Sequence, residues 1–432
     1  MIWIWIFAAV LISWLFCRKK VRWQHYIWIL LPIEMYGFTV AGATIKPYMV
    51  FGIAIILYNN VRTRVARLPR TIVVMAFLLI LSDIINGLIL GSIMQHLMFI
   101  FILIIASSYL TSQDGIIDFN QISIVAIATT VGYGLIFTIA YLSTFFNISL
   151  PDVYTTDRYS TGMIVRSIIT GYGNAVTIRL RGFGIDPNGV VTTLIPGAAF
   201  ALANLLYRKE KTFISILAVI LFFLVVDYSG SRMALISSFI MVAIMFVIGY
   251  RETDHKLQWI IIAFVVLAGL GIFVVINQNR IITEIAYNLD YFFSSRASLT
   301  DNAGRLTIWK NNLSYLVENN RILFGLGQNQ ISNYTVQEKA CHNTWLEWIC
   351  GTGLFIGIFI NLFFITATVP FSRKAKESKL IYRQDALPVI LAYIIVMISI
   401  TTVDNITNSI LLILAIFFRY GTPSRETQEG LL

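Results

Sequence analysis

The residues best suited to chemistry are a set of arginines beside glycines and aromatics, and one histidine. They lie in four stretches. The first is Arg179-Leu-Arg181-Gly-Phe-Gly-Ile-Asp186-Pro187-Asn188-Gly189, and the second is Asp227-Tyr-Ser229-Gly230-Ser231-Arg232. The third is Gly304-Arg305-Leu-Thr-Ile-Trp309, followed by Phe324-Gly325-Leu-Gly327. The fourth is His342-Asn343-Thr-Trp345-Leu346, leading to Gly351-Thr-Gly353-Leu-Phe-Ile356-Gly357. A guanidinium is planar, permanently charged and able to grip a phosphate with two parallel hydrogen bonds, whereas Lys is a point charge. Arg179 and Arg181 precede a helix start at Pro187 and Asn188, and a helix N-terminus favours anions. Arg232 closes a very short turn. His342 is of the type that serves as a general base near neutral pH. Each stretch alone also fits an ordinary structural role, such as helix capping, head-group snorkelling or loop packing.

These residues must be positioned by membrane helices. The chain is 57% hydrophobic and only 12% charged, against about 25% charged in a soluble domain. Apolar runs of about 20 residues, enough to cross a bilayer core, recur from end to end. They read as about 12–13 crossings, among them 25–42, 257–276, 346–369, 386–402 and 407–418, with 25–58 equally readable as a hairpin or one bent element. Residues 1–17 read as a retained first helix, because their basic run, Arg18-Lys19-Lys20, follows the apolar stretch rather than preceding it. The expected division is 1–276, transmembrane with an outer loop at 146–188; 277–345, a large extracytoplasmic loop; and 346–432, the last helices and a cytoplasmic tail.

Charge sets the orientation. Net charge is +10, and most of the 32 Lys and Arg residues fall in short breaks that share one side once crossings alternate. That side is cytoplasmic by the positive-inside rule. This accounts for basic charge that in a soluble protein would suggest nucleic acid, so no nucleic-acid partner is expected. The basic residues left on the outer side are predominantly Arg, and they include Arg179, Arg181, Arg232 and Arg305. Loops longer than about 15 residues are usually functional or carry structure of their own. In the larger one, Trp309, Leu313, Leu316 and Val317 recur at helical spacing between Gly304 and Gly325, predicting a helix.

Several chemistries lack their signatures. The sequence has no phosphate-binding Walker loop, no HExxH and no GxSxG. Cys17, Cys341 and Cys350 have no metal-ligand spacing, so neither a zinc site nor a disulfide framework is expected. Glu34, Asp83, Asp227 and Glu347 are the few charged residues in or near spans. A transporter of lipid-linked glycan should show internal repeats and centrally broken helices. Neither is evident, which makes it the least favoured reading.

The four stretches, in this order and on this topology, resemble the O-antigen ligase and Wzy-type O-antigen polymerase superfamily. The pieces that carry the likeness are RGFGIDPN, SGSR before an apolar helix, GR…W before GLG, and HN-x-W-L before GTGLFIG. It covers roughly Arg179 to Gly357. The resemblance implies an all-α, GT-C-like polytopic membrane helix bundle with a partly helical outer loop. It implies an integral glycosyltransferase of the bacterial inner membrane, with its site facing the periplasm or outside. The donor would be an undecaprenyl-pyrophosphate-linked oligosaccharide, used without metal or other cofactor. The acceptor would be a second glycan or lipid A-core, with membrane lipid and a chain-length regulator as further partners. The family's essential outer-loop residues match Arg232, Arg305 and His342, and also Arg181; Arg179 stands beside it as a further pyrophosphate-binding candidate. Ile356 occupies a place where ligases often carry a small or hydroxylated residue. That departure tilts the reading towards a polymerase over a ligase.

Overall fold

The computed structural model describes residues 2–33, 36–40, 43–62, 68–113, 116–146, 148–150, 153–155, 162–169, 175–184, 186–208, 212–252, 305–335, 340–366, 387–398, 413 and 422–423. Helix dominates them, as the composition demands. In a bilayer each backbone polar group must be bonded internally, and a helix achieves this within one segment. The first helices are α1 (Ile2–Cys17), the short α2 (Ile27–Leu30), α3 (Pro47–Val61) and α4 (Arg70–Ile85). Next come α5 (Leu90–Ser112) and α6 (Phe119–Phe145). After a small sheet follow α7 (Pro187–Thr192), α8 (Ile195–Ala203), α9 (Thr212–Ser229) and α10 (Arg232–Glu252). The later helices are α11 (Arg305–Glu318), α12 (Thr344–Thr352), α13 (Leu354–Thr366) and α14 (Leu387–Val396).

Among the described residues five helical stretches are long and apolar enough to cross a membrane: α5, α6, Gly189–Tyr207 across α7 and α8, α9, and α10. Four shorter apolar helices, α1, α3, α13 and α14, accompany them. The protein is an all-α polytopic membrane helix bundle. The expected crossings 257–276 and 407–418 lie outside the described residues, apart from Ile413.

The centre of the bundle is α6, which packs on α1, α8 and α9. Lipid is as apolar as any side chain, so helices associate through close packing, and small residues permit it. A Cβ on Gly132 of α6 would sit 2.2 Å from Ser13 Oγ and 2.7 Å from Ala9 O of α1. One on Gly197 of α8 would sit 2.2 Å from Ala126 O of α6. The backbones meet at both crossings.

Three elements differ from expectation. Residues 25–42 do not form one crossing. A 3-10 turn (Trp23–Tyr26) and α2 end just before Pro32, which disfavours helix in the residue preceding it. Two short antiparallel strands follow, β1 (Phe38–Val40) and β2 (Ala43–Ile45), rich in β-branched residues. The 346–369 crossing is divided into α12 and α13 at Gly353, whose φ of +86° no other residue type adopts readily. The loop after α6 carries a sheet of β3 (Tyr154–Thr155), β4 (Ile164–Ile169) and β5 (Ala175–Leu180). In it β3 is parallel to β4, and β4 pairs antiparallel with β5, Val165 opposite Arg179.

The helix expected after Gly304 is present as α11, but its buried stripe is Ile308, Asn312 and Leu316, while Leu313 and Val317 are exposed. The stripe turns that way because Asn312 reaches a partner across the loop. Leu316 joins Leu326, Ile331, Cys341 and Cys350 in a small core of their own, separate from the core of the bundle.

Candidate functional site

Arg179 ends the sheet and grips the α9–α10 turn. Its Nε donates to Ser229 O at 2.9 Å and an NH2 group donates to Gly230 O at 3.3 Å. The Ser-Gly-Ser-Arg stretch is built for this turn. Gly230 has a φ of +58°. Ser231 N donates to Ser229 Oγ at 3.2 Å, and Ser231 Oγ accepts Ala234 N at 3.1 Å, starting α10. Arg232 is therefore the first residue of α10, placed by a turn that Arg179 holds. The Arg232 side chain lies outside the described residues.

Arg181 is fully buried, and its Nε donates to Gly162 O at 2.7 Å. Its backbone N–H bonds Met163 O at 2.9 Å. Gly182 (φ +60°) then turns the chain so that Phe183 packs on Tyr133, Phe137 and Tyr36. The sequence predicts pyrophosphate contacts for Arg179 and Arg181. In this structure both donate to backbone carbonyls: Arg179 holds the turn before Arg232, and Arg181 holds Gly162 in the loop that enters the sheet.

His342 is half-buried and has a φ of +48°, unusual for a non-glycine residue. Such a conformation persists where neighbours over-determine it, and the neighbours here are specific. Asn343 caps α12, accepting Leu346 N at 3.1 Å. Thr344 N bonds Met397 O at 2.8 Å, and Trp345 Nε1 bonds Ile394 O at 3.3 Å. On the other flank every polar atom of Cys341 is held. Its N–H donates to Glu347 Oε2 at 3.2 Å, its carbonyl accepts Trp309 Nε1 at 2.8 Å, and its Sγ meets Asn312 Nδ2 at 3.3 Å and Cys350 Sγ at 3.6 Å. Trp309 lies one turn along α11 from Arg305, the first residue of that helix. Arg305 and His342 are thus carried on one joint, although the Arg305 side chain lies outside the described residues.

The same joint is tied to the bundle. Gly325 and Gly353 let two backbones meet, with Leu326 N on Cys350 O and Gly327 N on Gly351 O, both 2.9 Å. Asn86 Nδ2, just after α4, donates to Phe324 O at 3.0 Å. Ser92 Oγ of α5 donates to Asp83 Oδ1 at 2.7 Å and accepts Gln328 N at 2.9 Å. Asp83 Oδ2 lies 2.9 Å from His96 Nδ1, and the His96 ring is near-parallel to Trp348, their centroids 6.4 Å apart. The contact is short, but it falls outside hydrogen-bond geometry.

The two halves of the site are joined by α14. Tyr393 OH donates to Thr192 O of α7, directly beyond the Arg181 segment. Leu387 lines a groove beside Ile244, Val247 and Arg251 of α10. Ten residues further, a rise of about 15 Å, Met397 holds Thr344 beside His342. The α14 helix therefore runs from the Arg251 end of α10 towards its Arg232 end.

Nothing in the sequence singles out Glu347, Asn312 or the Asp83–His96 pair as site residues. Glu347 and Asp83 stood out as charges in apolar runs, which was the available signal. Their partners lie on other elements. Among the described residues no group of three His, Cys, Asp or Glu is arranged to hold a metal ion.

Fold and site together define a multi-pass membrane protein in which loop segments from at least three helix connections converge at one end of the bundle. Residues 216–362, from α9 through most of α13, match the family model described as O-Antigen ligase. That match supports the O-antigen ligase/Wzy-type superfamily for this chain, and with it a ligase or polymerase-type membrane glycosyltransferase. The family and the apolar helices fit a multi-pass inner-membrane protein. No curated protein matches the chain.

Proposed function

We propose that this protein is a Wzy-type polymerase. It moves a glycan from an undecaprenyl-pyrophosphate carrier to a second lipid-linked glycan, on the outer face of the inner membrane. The observation that supports this best is the Cys341 joint, with Trp309 Nε1 on Cys341 O at 2.8 Å. It places the start of the Arg305 helix and the His342 turn in one rigid unit. His342 takes the proton from an acceptor hydroxyl as its oxygen attacks the anomeric carbon. The bond from that carbon to the phosphate oxygen breaks, and the polyprenyl pyrophosphate leaves with the electron pair. Negative charge grows on that oxygen, where Arg305 and Arg232 stabilise it most in the transition state. One displacement inverts the anomeric centre. Arg179 and Arg181 position this machinery from the sheet. No metal or nucleotide is assigned to the reaction.

The description of the matched family favours a second reading, transfer to lipid A-core by a ligase. Deleting the gene and resolving surface glycan on a gel separates the two. Loss of the ladder with single repeats still attached to core indicates a polymerase. Loss of all attachment, with lipid-linked polymer accumulating, indicates a ligase. His342→Ala should lower transfer by about 10²–10⁴-fold, and Arg305→Ala by about 10²-fold or more. Wild-type transfer by well-folded His342→Ala removes His342 as the base.

A further inference from the structure

We propose that Cys341 and Cys350 form a disulfide in the mature protein, a covalent staple across the His342 turn. The inference rests on the outer-face orientation given above for that reason alone: disulfides persist outside the cytoplasm. The geometry stands independently. The two Sγ atoms are 3.6 Å apart and in contact. Bonding at about 2.05 Å requires them to approach by roughly a further 1.5 Å, a small side-chain adjustment. Both residues are fully buried, and they make up two of the five members of the small core beneath α11 and α12. A core of that size supplies little stability on its own, and small extracytoplasmic cores are commonly stapled. Cys17 takes no part, since it lies in α1 with its Sγ on Trp14 O.

The chemistry is thiol–disulfide exchange with a protein disulfide donor of the outer compartment. The thiolate of one cysteine attacks the donor disulfide and forms a mixed disulfide, releasing one donor thiol. The second cysteine then displaces the other donor thiol. Two cysteine thiols are oxidised, the donor is reduced to its dithiol, and the cysteine protons pass to the donor thiolates. The Cys350 hydrogen bond and burial push the Cys341 thiol well up from its ordinary value once the module is closed, and a thiolate is the reactive form. Exchange therefore accompanies docking of α12, before the pair is enclosed. The bond closes a loop containing His342 and Asn343 and fixes the residue that α11 and Glu347 already hold.

The test is alkylation of full-length protein, acid-quenched from cells, denatured and read by intact mass. Of the three cysteines, one should be alkylated before reduction and all three after it. Peptide mapping of that species should give a Cys341–Cys350 linked pair. Three adducts before reduction overturn the proposal. The failed premise is then read from an exposed Glu318→Cys reporter in a Cys17→Ser background, probed with a membrane-impermeant maleimide. Labelling only after lysis places the segment inside and overturns the orientation as well. Labelling in intact cells or spheroplasts leaves the orientation in place and rejects only the sulfur pairing.

Discussion

Replacing Gly325 with Ala tests whether the Arg305–His342 unit is truly sutured to the start of α13. Gly325 has a φ of +75°, and a Cβ there would lie 2.4 Å from Gly351 O and 2.6 Å from Gly353 N. Those atoms are backbone and cannot swing aside. The left-handed conformation alone costs an alanine about 1–2 kcal/mol. Relieving the clash also separates the two segments that carry the Leu326 N–Cys350 O and Gly327 N–Gly351 O bonds, each 2.9 Å. At about 1 kcal/mol apiece, this brings the total to roughly 3–4 kcal/mol. Gly87 supplies the control. Its φ is +80°, but nothing lies within 4 Å of its would-be Cβ. Gly87→Ala should therefore cost only the backbone component, about 1–2 kcal/mol. The assay is denaturant unfolding of both purified variants in one detergent, with glycan transfer measured in cells. Gly325→Ala should be the less stable by about 2 kcal/mol, a roughly 30-fold shift in the equilibrium, and should lose transfer. Equal stability of the two variants would refute the suture.

Glu347→Ala leaves the buried Cys341 N–H without its acceptor and should cost about 1–3 kcal/mol, whereas Glu347→Gln keeps an amide oxygen and should stay close to wild type in thermal unfolding. Arg179→Lys cannot span Ser229 O and Gly230 O with one planar fork, so transfer should fall well below wild type even though Arg232 is intact. The readout is ladder intensity at matched expression. Gly132→Val places carbon against the α1 backbone, where its Cβ meets Ala9 O at 2.7 Å. It should abolish folded protein in the membrane fraction, while the same change at Gly87 should not. Tyr393→Phe removes the tie from α14 to Thr192 and should lower stability by about 1 kcal/mol.

The long apolar runs, the multi-helix membrane class and the four candidate stretches were legible in the residues themselves. A bilayer accepts only backbone that bonds within its own segment, so length and hydropathy of a run suffice to mark α5, α6, α9 and α10. The turn chemistry of Ser229-Gly230-Ser231 and the Asn343 cap are equally local. What tertiary structure decided is everything that depends on meeting across the chain. The sheet at 154–180 needs partners from both sides of a loop. The division at Gly353 follows from a backbone contact with residues 323–325. Asn312, rather than Leu313, faces inward because Cys341 lies opposite. Two cysteines with no meaningful spacing in sequence touch because α12 folds back beneath α11. Arginines that look alike on paper take different places: Arg179 and Arg181 brace backbone, while Arg232 and Arg305 open helices. Local chemistry is written in neighbouring residues, whereas a site assembled from several loops exists only once the bundle has brought those loops together.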